Sequence, residues 1–403
     1  MSEVIVVGGG AAGMMAAIAA ADCGHQVTII EKNEKLGKKL FITGKGRCNI
    51  TNDSDVENHL NHVISNPKFM YSAFYSFDSS RMIDFLEQEG LAVKTERGNR
   101  VFPQSDKSSD VLQTLQKALR RRNVTVRLHT KMTGLMIEDH NCKGVKVQSY
   151  HGALETLTAD DVILTTGGLA YPSTGSTGDG HRLLKQAGVA LEPCYPALVP
   201  VETVEEWPIR LQGLSLRNVS LRVERGSHKI YEEQGEMLFT HFGVSGPLVL
   251  SASSLLGRKG AKDCKLHIDL KPALSEEQLD ERLQRDFAAQ KNSMFKNSLG
   301  KLLPSKLIPV IVELSEITPD KQVNEVTRQE RHRLVKLCKD LTCTVKKLRD
   351  FPEAIVTGGG ISVKAINPAT MELKEISHLF AAGELFDYLF EQINSLVFGQ
   401  LYG

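Results

Sequence analysis

Hydrophobic and polar positions divide the chain into stretches of different period. VIVV at 4–7 is an unbroken apolar run, a Gly-rich break and an Ala-rich stretch follow, and VTII at 27–30 is a second run. Short apolar runs on either side of a helix predict buried parallel strands joined by a crossover, a βαβ unit. Polar helical sequence then continues to about residue 90, and residues 111–122 carry the spacing of an amphipathic helix. Between 124 and 165 the period shortens to two. VTVRL, GVKVQSY, ALETLT and DVILTT alternate between turn residues, which predicts a β-meander and a returning strand that runs into TTGG. Residues 191–270 read as β-like with Pro and Gly punctuation. Residues 275–350 read as polar and helical, opening on a capping box of Ser275 and Gln278. Strand-and-turn grammar returns in AIVTGGGISV and HLFAAGELFD.

The break after the first strand holds Gly8, Gly10 and Gly13 at GxGxxG spacing, and Glu31 ends the second strand. Each part stands where a dinucleotide-binding unit needs it. Gly8 allows the tight turn, Gly10 lets the backbone approach a diphosphate, and Gly13 lets helix and strand pack closely. The helix N-terminus offers N–H groups and positive dipole to the phosphates. Glu31 would accept from an adenosine ribose and would repel a 2′-phosphate, so FAD or NAD is expected rather than NADP.

With 403 residues, two or three domains are expected. Lys and Arg (49) nearly balance Asp and Glu (48), so no global field draws the chain to nucleic acid or anionic lipid, and the expected partner is a small molecule. The opening MSEVIVV has no basic leader and no apolar stretch is long enough to span a bilayer, so a cytoplasmic protein without a membrane partner is expected. The seven cysteines show no CxxC and no metal spacing; Cys338 and Cys343 read as packing residues on one helix. Arg120, Arg121 and Arg122 close the 111–122 helix as a solvated, dipole-complementing end.

Further candidate chemistry sits in four places. In HLFAAGELFD, Gly383 and Glu384 follow an apolar strand and suit the ribityl side of a flavin. The loop GKGRCNITN offers Arg47 and Asn49 as donors and Cys48 as a candidate nucleophile. Met132 is placed to flank an adenine, and Thr166 and Gly167 end the returning strand ahead of the loop YPSTGSTGDGH, which could cover phosphates or line the substrate side. His241, in LFTHFG, is a candidate acid or base beside Arg47 and Cys48. No GxSxG, HExxH, Walker loop or second GxGxxG occurs, so NAD(P)H would act as a transient co-substrate rather than on its own domain.

GGGAAGMMAA, EKNEKLGKKLFITGKGRCNITN, FPQSDKSSDVL, TTGGLAYPSTGSTGDG, PALVPV, GEMLFTHFGVSGP and VTGGGISVKAINPATME together resemble the BaiN-like (YhiN-like) flavoproteins, a family of NAD(P)/FAD-dependent oxidoreductases and aminoacetone oxidase-type FAD-binding enzymes. The resemblance implies an α/β fold: a Rossmann-type FAD-binding domain of the glutathione-reductase class, interrupted by a β-barrel-like and helical insert. On that reading residues 1–190 form the first part of the FAD domain, 191–350 the insert (191–274 β-rich, 275–350 largely helical) and 351–403 the returning part. The FAD contacts it implies are Gly8, Gly10, Ala11, Ala12, Gly13, Glu31, Lys32, Arg47, Cys48, Asn49, Met132, Thr166, Gly167, Gly383 and Glu384. The function expected is hydride transfer between flavin and a small organic substrate, with NAD(P)H as reductant. Relatives follow the Gly-Glu pair with a GYTGGYN turn and a helix aimed at the flavin pyrimidine ring. This chain instead reads ELFDYLFEQINSLVFGQLYG, bringing Glu391 near that position. Two alternatives follow: a flavin-binding protein with lost or regulatory activity, and an RNA-modifying flavoenzyme.

Overall fold

A computed structural model describes residues 1–390, so the expectation placed on Glu391 and the residues after it lies outside the described chain. Two units form among the described residues: 1–197 together with 350–390, and Leu198–Arg349.

In the first unit, VIVV becomes the centre of the strand Glu3–Val7, with all four of these side chains buried, as a strand covered on both faces requires. The helix Ala11–Asp22 follows. It is apolar almost all round, with Met14 and Ala17 fully buried, because it packs against the sheet. Five parallel strands lie in the order Leu379–Ala381, Asp161–Leu164, Glu3–Val7, Gln26–Ile30, Thr125–Arg127. The chain runs outward from Glu3–Val7 in both directions, and a crevice opens at the carboxyl ends of the strands where the order reverses.

One strand differs from its sequence reading. Thr125–Arg127, expected in the meander, pairs in parallel with Gln26–Ile30 as the sheet's edge. The antiparallel meander is Thr130–Glu138, Asn141–Ser149 and Leu154–Thr158. A three-residue edge strand has too few positions for its period to reveal which sheet it joins. The strands Leu191–Ala197 and Val356–Ile361 pair antiparallel within this unit, with a bulge between Glu192 and Tyr195.

The second unit is built on a closed six-stranded barrel, ordered Val201–Thr203, Gly243–Ser245, His228–Thr240, Ser215–Arg225, Cys264–Asp269, Leu341–Leu348. Its first and last strands pair with each other, which removes free edges. Two elements depart from the sequence reading. The helix Pro247–Lys259 interrupts the β-like stretch, with Pro at its first turn where the missing N–H costs nothing. Leu341–Leu348 is a strand inside the stretch read as helical, so Cys338 lies on the helix Arg328–Lys339 and Cys343 on the barrel. Alternating burial of Leu341, Cys343 and Val345 carries the strand's period of two. The capping box at Ser275 and Gln278 is present at the start of the helix Glu276–Ala288.

Candidate functional site

The crevice at the strand ends is a groove of about 910 Å³, lined entirely by the first unit. Val7, Ile30 and Thr165 form its floor at the carboxyl ends of three neighbouring strands. Gly8 turns the chain there with φ of 110°, a conformation that L side chains rarely adopt, and a Cβ on it would fall 2.5 Å from the Thr165 carbonyl oxygen. Gly13 sits behind the turn. Its Cβ would lie 1.8 Å from the Gly8 carbonyl oxygen, so helix and strand approach as closely as the backbone allows. Gly10 is different: a Cβ built on it meets nothing within 4 Å and points into open groove. No side chain caps the first turn of the helix Ala11–Asp22, and that turn carries no acid. Its N–H groups therefore face the groove as an anion site.

Glu31 is buried at the end of the second strand. Its Oε2 accepts from the Gly9 N–H at 2.7 Å, and its Oε1 accepts from the Asn33 backbone N–H at 2.8 Å and side-chain amide at 2.7 Å. A carboxylate offers about four acceptor sites, so three are engaged in shaping the turn and capacity remains on Oε2 for a ribose hydroxyl. Lys32 and Lys39 each reach an acid that lines the groove. Lys32 Nζ lies 2.7 Å from Asp179 and Lys39 Nζ 2.5 Å from Glu384. Burial pushes the Asp179 carboxyl up, but Lys32, with Thr177 and Lys131, outweighs it and holds the group below the usual carboxylate range. Glu384 also accepts from the Thr357 backbone N–H at 2.7 Å.

Of the residues expected from sequence, Gly8, Gly10, Ala11, Ala12, Glu31, Lys32, Met132, Thr166, Gly167 and Glu384 line this groove. Gly13 packs beneath it, and Gly383 precedes Glu384 in the turn. The GKGRCN loop goes elsewhere. Arg47 binds Glu96 and Asp106, both at 2.5 Å, and stacks on Phe102 at 4.1 Å, and the two acids raise its pKa. Cys48 is fully buried, faces a small apolar cavity with Met15, Met82 and Leu115, and burial pushes its thiol up to about 12. It is therefore a core thiol with no thiolate to offer as a nucleophile. Asn49 is buried beside it. His241 belongs to the second unit, exposed on the turn after His228–Thr240 with its ring edge-on to Phe242. Among the described residues no His, Cys, Asp and Glu cluster could hold a metal.

Sequence reasoning missed Asn33, Lys39, Lys131 and Asp179, which also line the groove. Lys39 lies in the Lys-rich stretch EKLGKKL and Asp179 in TGSTGDG. Only the fold, which brings positions 32 and 179 together, shows that they meet. Five lysines (32, 35, 38, 39 and 131) and three acids (31, 179 and 384) line the groove, an excess of positive charge suited to a diphosphate. The fit to a dinucleotide also rests on the open space beyond Gly10.

A family profile described as the HI0933-like protein Rossmann domain matches residues 2–389. A 3-dehydro-bile acid delta(4,6)-reductase of Clostridium scindens is 31% identical over 391 residues, spanning 96% of this chain and 93% of that protein. A ribosomal RNA dihydrouridine synthase of Escherichia coli is 28% identical over 391 residues, spanning 96% and 92%. Among solved structures, a 3-ketosteroid delta1-dehydrogenase from Sterolibacterium denitrificans superposes with a TM-score of 0.52 at 15% identity, covering 99% of this chain and 98% of that one, a likeness of fold.

Proposed function

The chain belongs to the HI0933-like Rossmann family of FAD-binding oxidoreductases, and on that premise we propose that it reduces a carbon–carbon double bond conjugated to a carbonyl in a small organic substrate, with NAD(P)H as reductant. When bound, FAD supplies the hydride chemistry. The chain supplies binding and electrostatics. N–H groups at Gly10, Ala11 and Ala12 would hold the diphosphate, Glu31 the adenosine ribose, and Met132, Thr166, Gly167 and Glu384 the remainder of the cofactor. Lys35, Lys38 and Lys39 add positive charge along the same groove.

The observation that carries the cofactor reading is the uncapped helix start behind Gly10, whose missing Cβ leaves the groove open where a ligand would lie. The substrate class is supported by the name of the Clostridium relative, which describes reduction of double bonds in a 3-oxo compound. A conjugated carbonyl accepts hydride at its far carbon and a proton at the near one. The test is anaerobic spectroscopy. The purified protein is expected to show bound flavin, to bleach with NADH or NADPH, and to regain colour on addition of a small cyclic enone. Bleaching without enone-dependent recovery contradicts the substrate class. Bound flavin that no nicotinamide reduces favours the non-catalytic alternative instead.

A second reading, an RNA base as substrate, is favoured by the names of the ribosomal RNA dihydrouridine synthases of Escherichia coli and Haemophilus influenzae. The double bond of uracil is also conjugated to a carbonyl, so the chemistry is shared and only the partner differs. With a net charge of +1, RNA affinity would have to come from a local basic surface. Salt-sensitive retention of ribosomal RNA together with uridine reduction supports this reading, and reduction of free enones alone opposes it.

A further inference from the structure

The loop YPSTGSTGDGH crosses the rim of the groove, and its attachments are uneven. Within it the backbone N–H groups of Thr174, Gly175 and Thr177 bond only to carbonyls of residues 171–175. Gly178 ties one end to the Gly168 carbonyl, and Tyr171 ties the other to Phe351. Between those ends Ser176 is buried near Gly167, while Pro172, Ser173 and Thr177 are exposed. Two consecutive side chains at the end of the second strand add to this hold. Asn33 donates to the Thr174 carbonyl at 3.1 Å. Lys32 donates to Thr177 Oγ1 at 2.6 Å and to Asp179 at 2.7 Å, and Thr177 itself donates to Asp179 at 3.0 Å. Arg182 at 3.7 Å and Lys131 at 4.0 Å also face Asp179.

Gly175 shows how tightly this closes. Its φ is 108°, and a Cβ there would fall 2.5 Å from Asn33 Nδ2 and 3.4 Å from Lys32 Cε. Glu31 holds the Asn33 amide from the other side, so the expected ribose acceptor and the loop share one hydrogen-bonded chain, Glu31 to Asn33 to Thr174. Lys32, Asn33, Thr174, Gly175, Ser176 and Asp179 all line the groove.

We propose that residues 172–178 form a strap over the groove, that Lys32 and Asn33 clasp it, and that opening this clasp sets the rate at which a dinucleotide enters and leaves. This rests on the cofactor reading of the groove. Lys32, Asn33 and Asp179 are then positioning residues that act through the strap. The bonds are few, partly solvent-facing and donated by side chains, so they can break without unfolding the sheet.

Stopped-flow fluorescence of FAD mixed with the full-length apoprotein measures entry, and displacement of bound FAD by excess ADP measures release. A gate differs from a direct contact in its kinetic signature. If the clasp is a gate, Thr177→Val, at a strap position that does not line the groove, raises both rate constants about fivefold and leaves the dissociation constant nearly unchanged, and Asn33→Ala raises both rate constants as well. The double variant then gains little more, since either change opens the same clasp. Faster release with unchanged entry makes these residues ligand contacts and overturns the strap. So do unchanged rates. If Asn33→Ala fails to fold, Thr177→Val decides the question with the same readout. Failure of the natural apoprotein to bind FAD at all contradicts the cofactor reading itself, and is distinguished by appearing before any variant is made.

Discussion

Gly13 and Gly10 look alike in the motif and differ in what surrounds them. Gly13→Ala places a methyl group 1.8 Å from the Gly8 carbonyl oxygen, which only a backbone shift can relieve. A loss of about 3 kcal/mol is expected, measurable as a lower urea midpoint, and an unchanged midpoint would mean that the turn is looser than described. Cys48 gives a second residue-scale prediction. Its thiol is buried and pushed up to about 12, so it should resist iodoacetamide at neutral pH while exposed Cys23 is labelled. Labelling at Cys48 in the native protein would restore it as a reactive residue. The sequence made Cys48 attractive because it stands between Arg47 and Asn49 in a Gly-bounded loop. It could not show that the loop folds its cysteine against Met15 and Leu115 while Arg47 turns to Glu96 and Asp106.

At the scale of elements, the helix Asp179–Gln186 joins the strap to the turn after Gly383. His181 on this helix is buried, with its Nε2 3.0 Å from the Leu385 carbonyl, and that oxygen can only accept, so this nitrogen carries the proton. Burial lowers its pKa against the opposing pull of that carbonyl, and burial lowers that of His59 likewise. Both rings therefore take up a proton less readily when folded than when unfolded. The unfolded chain protonates them near pH 6.5, so unfolding takes up protons below that pH, and stability falls as pH drops from about 6.5 toward the lower folded values. Melting temperatures between pH 7.5 and 5.5 should therefore fall, and His181→Gln should flatten part of the slope. An identical slope in the variant would assign the acid sensitivity elsewhere. Long elements with a clear period were legible in the sequence: the first βαβ unit, the helix over 111–122 and the capping box at Ser275. Short ones were not. Thr125–Arg127 chose its sheet through pairing with Thr28, Ile29 and Ile30, and Leu341–Leu348 closes the barrel through partners more than seventy positions earlier in the chain.

For the whole molecule, family membership and fold agree on an FAD-binding oxidoreductase. The floor of the groove was readable because the glycine motif is local, and Met132, Thr166, Gly167 and Glu384 of its far wall were expected as well, whereas Lys131 and Asp179 meet there through the sheet order, which no local pattern carries. No helix of the described residues is long and apolar enough to cross a membrane. The central claim is that a dinucleotide lies with its diphosphate over the turn at Gly8–Gly10, and one variant separates this from a merely structural turn. Gly10 has φ of −76° and ψ of −171°, extended backbone open to any residue, and nothing in the protein stands within 4 Å of its Cβ. Flavin retained per chain, measured together with the melting temperature, should show Gly10→Val folded as before and stripped of flavin. A Gly10→Val protein that keeps the natural protein's full complement of flavin would contradict the account.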